Sequence, residues 1–167
     1  RLLSLSRKLS ALDKSTLIYR PGKKRTGIRP SDRRVIVWWK GRESNGDLML
    51  LLAHLLVMTR EWSGTRIWLK SAVNDEEEKE TWRKDLAALL PEVRMDVQVE
   101  VVVRPPDRTF ASVIRHHSAD ADFVFLGLPI AEAGSEPEVA QRLQDLAEDM
   151  PPILFVRNAG PFRGRLV

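Results

Sequence analysis

Six residues are placed where they could do chemistry on a phosphate. Lys40, Gly41 and Gly46 follow one apolar run, and Gly127, Pro129 and Gly134 follow another. Glycine lets a backbone come close to a phosphate, and a helix N-terminus favours the anion. Together they would line a nucleotide crevice. A second glycine-rich stretch, "GKKRTG" at 22–27, holds the residues of a phosphate-binding loop in the wrong order.

Other chemistry finds less support. His116 and His117 are adjacent, so on a helix they point about 100° apart and chelate poorly. His54 interrupts an apolar run and reads as a core or interface histidine. "NDEEEKE" at 74–80 reads as a solvated first helical turn of the sign a helix dipole favours. There is no cysteine, hence no disulfide and no thiolate nucleophile or ligand, and a G-x-S-x-G elbow is missing. These residues point to no catalytic group and no metal site.

The elements that position the glycines follow from pattern. "VIVWW" (35–39), "TRIWLKSAV" (65–73), "VRMDVQVEVVV" (93–103), "DFVFLGL" (122–128) and "PILFV" (152–156) read as strands. Helices are expected between them over 48–62 with Asp47 as cap, from Asn74 as cap to Leu90, over 108–118, and from Pro137 to Asp149 with Ser135 as cap. Five strands separated by four helices predict an α/β fold, a doubly wound, mainly parallel five-stranded sheet in three layers. The strand at 93–103 alternates with period two, which suits an edge, and the order 3-2-1-4-5 makes the third strand an edge. The six candidate residues then fall at the carboxyl ends of the first and fourth strands, where the order reverses. Trp38 and Trp39 face opposite sides of their strand and pack under helices on both faces. Trp62 and Trp68 are expected to close the same core, and Trp82, on the acidic helix, to be partly exposed with an interface as its functional reading.

Ten of the eleven residues from Leu48 to Met58 are apolar. That run covers only about 16 Å as a helix, and a membrane span needs about 20 apolar residues. It is expected to be buried on nearly all sides by protein. The chain has 167 residues with 43% hydrophobic and 30% charged content, the profile of a folded globular domain. It starts at Arg1 rather than Met, as a fragment of a longer protein would.

Charge is uneven. Residues 1–34 carry eleven Lys/Arg and two Asp, a net of +9, and the remaining sixteen basic and twenty-one acidic residues give −5. Leucines at 2, 5, 9 and 12 predict an amphipathic helix, "STLIYR" a short strand, and Pro21–Arg34 a basic loop. The division is therefore 1–34 as helix, strand and linker, and 35–167 as the α/β body. The arm could meet an anionic membrane surface, through Lys23, Lys24 and Arg25, or nucleic acid; otherwise it is a solvated linker. A faint repeat relates "LSALDKSTLIYR" (9–20) to "LAEDMPPILFVR" (146–157). Either it is chance, or residues 1–20 end a first α/β lobe.

In order, "VIVWW", "GDLMLLLAHLL", "REWSGTRIWL", "ADFVFLGLP" and "MPPILFVR" resemble the C-terminal cytosolic domain of cation–chloride cotransporters, with the compactness of a prokaryotic member. The resemblance covers about residues 33–160. It departs where the family has Asp-Gly-Gly and this chain Asn45-Gly46-Asp47, where Asn158 replaces Gly, and where Val103–Thr109 is too short for a phosphorylated insertion. The resemblance implies two related lobes similar to universal stress proteins, of which this chain would hold the second plus the last helix and strand of the first. It implies a non-catalytic regulatory domain at the cytoplasmic face of the plasma membrane that forms a homodimer and docks on the transporter's membrane domain. Anionic lipid headgroups would be a further partner, and nucleic acid is not expected. The alternative that the resemblance implies is a nucleotide sensor of the stress-protein type with ATP as its ligand, although "GLPIAEAGS" lacks that group's spaced glycines.

Overall fold

Val35, Ile36 and Val37 lie fully buried at the middle of the sheet, packed from both faces, which is why their strand is apolar without alternation. The computed structural model describes residues 1–40, 45–93 and 96–160. In chain order these form α1 (Leu2–Ala11), β1 (Thr16–Arg20), β2 (Arg34–Trp38), α2 (Gly46–Met58), β3 (Arg66–Val73), α3 (Glu76–Val93), β4 (Val97–Val103), α4 (Phe110–Ser118), β5 (Phe123–Gly127), α5 (Glu136–Ala147) and β6 (Ile153–Arg157). Single 3-10 turns occupy Pro30–Asp32 and Arg60–Trp62.

The sheet order is β1-β6-β5-β2-β3-β4. Strands β2 to β6 pair in parallel, and β4 is an edge, as its alternation predicts. The expected five-stranded sheet has six strands among the described residues, because the short strand expected at "STLIYR" joins it. β1 joins β6 antiparallel, with Thr16 opposite Arg157 and Arg20 opposite Ile153. Its sequence is strand-forming, but its partner lies more than a hundred residues away, a distance that local patterning cannot read. Ile18 turns inward while Leu17 and Tyr19 stay exposed.

Two core clusters sandwich the sheet. One gathers Trp39, Leu48, Met49, Leu50 and Ala53 with Leu86, Val37 and Phe125. The other gathers Trp38, Val124, Leu126, Val139 and Phe155 with Leu3 of α1. Trp38 and Trp39 thus divide between the faces as strand geometry requires, and the Trp38 indole donates to Ser118 Oγ at 2.9 Å. Trp62 and Trp68 do not share a core: Trp62 packs on the first cluster and Trp68 on the second. Trp82 is half-buried against the first.

The leucine run is buried along one side only. Leu48, Met49, Leu50 and Ala53 face the core, whereas Leu55 and Met58 are 54% and 70% exposed. A run that is apolar at every position has no period from which to tell its inner side. The caps shift as well. Asn45, not Asp47, holds the N-cap position of α2. Asp75 caps α3, its Oδ1 accepting from the Glu78 N–H at 2.8 Å, while the Glu78 carboxylate accepts from the Asn74 N–H at 2.7 Å. The Asp75 bond fixes the helix start one residue later than expected, and Glu78 ties the residue before the cap. α3 also continues past Leu90 to Val93. Helix α1 is tied to the loop before α5 by Arg7, which donates to the Ala131 carbonyl at 2.9 Å and pairs with Glu136 at 2.6 Å.

The β1–β6 ladder is symmetric about Ile18 and Phe155. Position 9 matches 146 in the sequence repeat, so Thr16 corresponds to Ile153 and Arg20 to Arg157. Exchanging each residue for its counterpart turns every ladder pair into another ladder pair. The helix–strand unit α1–β1 and the unit α5–β6 therefore meet across a local twofold axis.

Candidate functional site

The order of the sheet reverses between β2 and β5, and four of the six candidate residues cluster by sequence at the two strand ends there. Trp39 continues β2 by donating its N–H to the Lys70 carbonyl at 2.7 Å, and Ser71 Oγ donates to the Trp39 carbonyl at 2.9 Å. Asn45, the next described residue after Lys40, is buried. Its Oδ1 accepts the Asn158 N–H at 2.8 Å, so the side chain bridges from the start of α2 to the end of β6.

Two glycines are explained by that bridge. A Cβ on Gly127 would sit 2.9 Å from Asn45 Nδ2, and one on Gly46 would sit 2.5 Å from the Trp39 ring. Both make room for the protein's own side chains. Lys40 is exposed just beyond β2, and Pro129 is exposed after β5. Gly134 stands apart in the turn before α5, at φ +93°, with its N–H donating to Glu136 Oε2 at 2.7 Å. Gly41 lies outside the described residues. Gly46 and Gly127 are thus brought together around Asn45. Asn45, Ser71 and Asn158 were missed by sequence reasoning. The one available signal was that Asn158 and Asn45 are two of the places where the sequence departs from the motifs of the expected family.

A cleft of about 320 Å³ lies elsewhere, between α4 and the β2–β3–β4 side of the sheet, lined by Arg34, Ile36, Trp68, Lys70, Glu100, His116, His117, Ala119 and Asp120. Lys70 is only 8% exposed. Its Nζ donates to the His117 carbonyl at 3.0 Å and pairs with Glu100 Oε2 at 2.8 Å, so the buried charge is compensated. His117 Nδ1 stands 3.7 Å from Glu100 Oε1. Burial holds the imidazole below its ordinary pKa; Lys70, His116 and Arg108 push the same way, against Glu100. At the other end Arg34 pairs with Asp120. Each cation in the cleft has a carboxylate, an arrangement that stabilises packing and sets up no nucleophile beside a base. The His116 and His117 rings stand nearly perpendicular, at 84°. Among the described residues no group of three His, Asp or Glu could hold a metal ion.

The basic segment divides in two. Arg25 donates to the Asp120 carbonyl and pairs with Asp122 at 3.5 Å. Arg33 donates to the Glu61 carbonyl at 2.9 Å and lies over the Trp62 ring at 5.0 Å. The backbone of Lys23 donates to the Met150 carbonyl at 3.1 Å, yet the side chains of Lys23, Lys24 and Arg29 are exposed. Of the three residues expected to face a membrane, Arg25 is thus committed to the body.

No protein-family model matches the chain, and no curated protein matches it. Among the described residues no helix is long and apolar enough to cross a membrane.

Proposed function

We propose that this chain is a non-catalytic regulatory and assembly module of a cation–chloride cotransporter-like secondary transporter. In this reading β2 to β6 form the second of two lobes similar to universal stress proteins, and α1–β1 is the last helix and strand of the first. The observation that carries it is the β1–β6 ladder, whose twofold symmetry coincides with the repeat between 9–20 and 146–157. A helix and strand that repeat the end of the fold, and meet it about a local axis, are what the close of a preceding lobe would supply. The ordered set of strand and helix motifs over 33–160 adds the transporter assignment.

The module works by contact. It forms a homodimer, docks on the membrane domain at the cytoplasmic face of the plasma membrane, and biases that domain's conformations by binding them unequally. Lys23 and Lys24 face anionic headgroups. A nucleotide-sensing role has less in its favour, because a phosphate beside Gly127 would compete with Asn45. The test is the reading frame upstream of Arg1. The reading expects a lobe of similar α/β pattern there, preceded by a series of hydrophobic segments of about 20 residues each. An upstream sequence with neither overturns it.

A further inference from the structure

Among the described residues the sheet has two open edges, the outer sides of β1 and β4. Seven residues of β4 pair with β3. The Arg104 N–H donates to the Val73 carbonyl at 2.8 Å, so residue 104 faces β3. By strand alternation, the N–H and C=O of Val101 and Val103 point outward. Proteins blunt such edges with proline, lysine or a bulge. Val97–Val103 contains no proline, lysine or glycine.

The stretch Glu100–Arg104 reads Glu-Val-Val-Val-Arg. Run antiparallel to itself about Val102, it sets Glu100 opposite Arg104 twice and valine opposite valine three times. We propose that β4 is the interface for a second copy of this chain, joined antiparallel with Val102 opposite Val102. Backbone bonds then link Val101 of each copy to Val103 of the other. The alternative register about Glu100 would oppose two carboxylates, which is unfavourable; the register about Val101 would set each carboxylate against a valine. Charge therefore selects the one centred on Val102. Glu100 is 37% exposed along its side chain, with Oε2 taken by Lys70 and Oε1 at 3.7 Å from the nearest cationic candidate, His117. That oxygen can receive a guanidinium. One terminal nitrogen of Arg104 holds Asn74 Oδ1 by a long 3.3 Å contact, which an ion pair to the second copy's Glu100 would replace, while the other keeps its 2.7 Å bond to the Arg108 carbonyl and the guanidinium stays over the Phe110 ring at 5.0 Å. This inference deepens the homodimer reading above and rests on it.

The test uses the chain's lack of cysteine. Val102→Cys introduces one thiol at a non-hydrogen-bonded pair, where Cα atoms lie about 4.5 Å apart, within disulfide reach. The variant is expected to cross-link rapidly under mild oxidation, and Gln98→Cys, whose two copies would stand far apart, is the slow control. Val103→Pro removes an outward N–H and no bond to β3. Sedimentation of the 167-residue chain should reveal a dimer, and Val103→Pro should weaken it about tenfold or more. Should Val103→Pro fail to fold, the cross-linking contrast decides alone. If the chain dimerises but Val102→Cys links no faster than Gln98→Cys, the β4 interface is wrong and the homodimer stands. A strict monomer at all micromolar concentrations would remove the homodimer and the interface together.

Discussion

Ile18 lies opposite Phe155 at the centre of the β1–β6 ladder, and each occupies the place that the internal repeat assigns to the other. Both pack into the core cluster beneath α1 and α5. The seam between the N-terminal unit and the rest of the sheet is thus a packed junction about a local twofold, with the larger residue buried and the smaller half-buried.

That difference in burial has a measurable consequence. Phe155→Ala is expected to cost about 3–5 kcal/mol. Ile18→Ala should cost less, because part of Ile18 already meets water. Urea unfolding of both variants checks the order. Equal losses would mean that β1 is held mainly by its backbone ladder.

The glycines at the strand ends predict stability effects. Gly46→Ala forces a Cβ against the Trp39 ring, an overpacking that typically costs about 1–3 kcal/mol. Gly127→Ala displaces the Asn45 amide and breaks its bond from the Asn158 N–H, for about 1 kcal/mol or somewhat more. Thermal melts should place both variants below the parent. A neutral Gly127→Ala would mean that Asn45 does not occupy this crevice in solution.

Stability should fall on mild acidification. His117 titrates below its ordinary 6.5 in the folded chain, first because it is buried, with Lys70, His116 and Arg108 adding to that and Glu100 opposing. The unfolded imidazole takes up its proton first, so the contribution of the neutral form is complete above 6.5 and drains as pH falls through 6.5 towards the folded value. His117→Gln should flatten the urea midpoint between neutral pH and about pH 5. An unchanged slope in that variant would assign the pH dependence to other groups.

Much of the sandwich was legible and its interior contacts were not. The apolar strand Val35–Trp38 and the alternating one at Val97–Val103 carry their burial in their own residues, so the doubly wound order could be read from them. The outward side of α2 could not, since Leu55 and Leu50 differ in position and not in type. The crevice could be read only in part for a related reason. A glycine beside a strand end signals close approach, but not whether a phosphate or Asn45 is what approaches. Arg25 likewise reads as one more cation of a basic loop until Asp120 and Asp122, a hundred residues on, come beside it.

That split within the basic segment predicts unequal effects on membrane binding. A juxtamembrane cation contributes about 1 kcal/mol to attraction by anionic lipid. Replacing Lys23 and Lys24 together by Ala should therefore weaken co-sedimentation with phosphatidylserine-rich vesicles about thirtyfold at low salt. Arg25→Ala should change binding far less and instead speed tryptic cleavage at Lys23, Lys24 and Arg29, because it frees the segment from Asp122. Equal losses for the two variants would contradict the division.

The most direct measurement is cation uptake by the complete protein in vesicles, with and without this module, in chloride and in a chloride-free medium. A regulatory module of a chloride-coupled transporter, as proposed, requires uptake that depends on chloride and whose rate shifts when the module is removed. Uptake indifferent to chloride, or unaltered by removing the module, would contradict it.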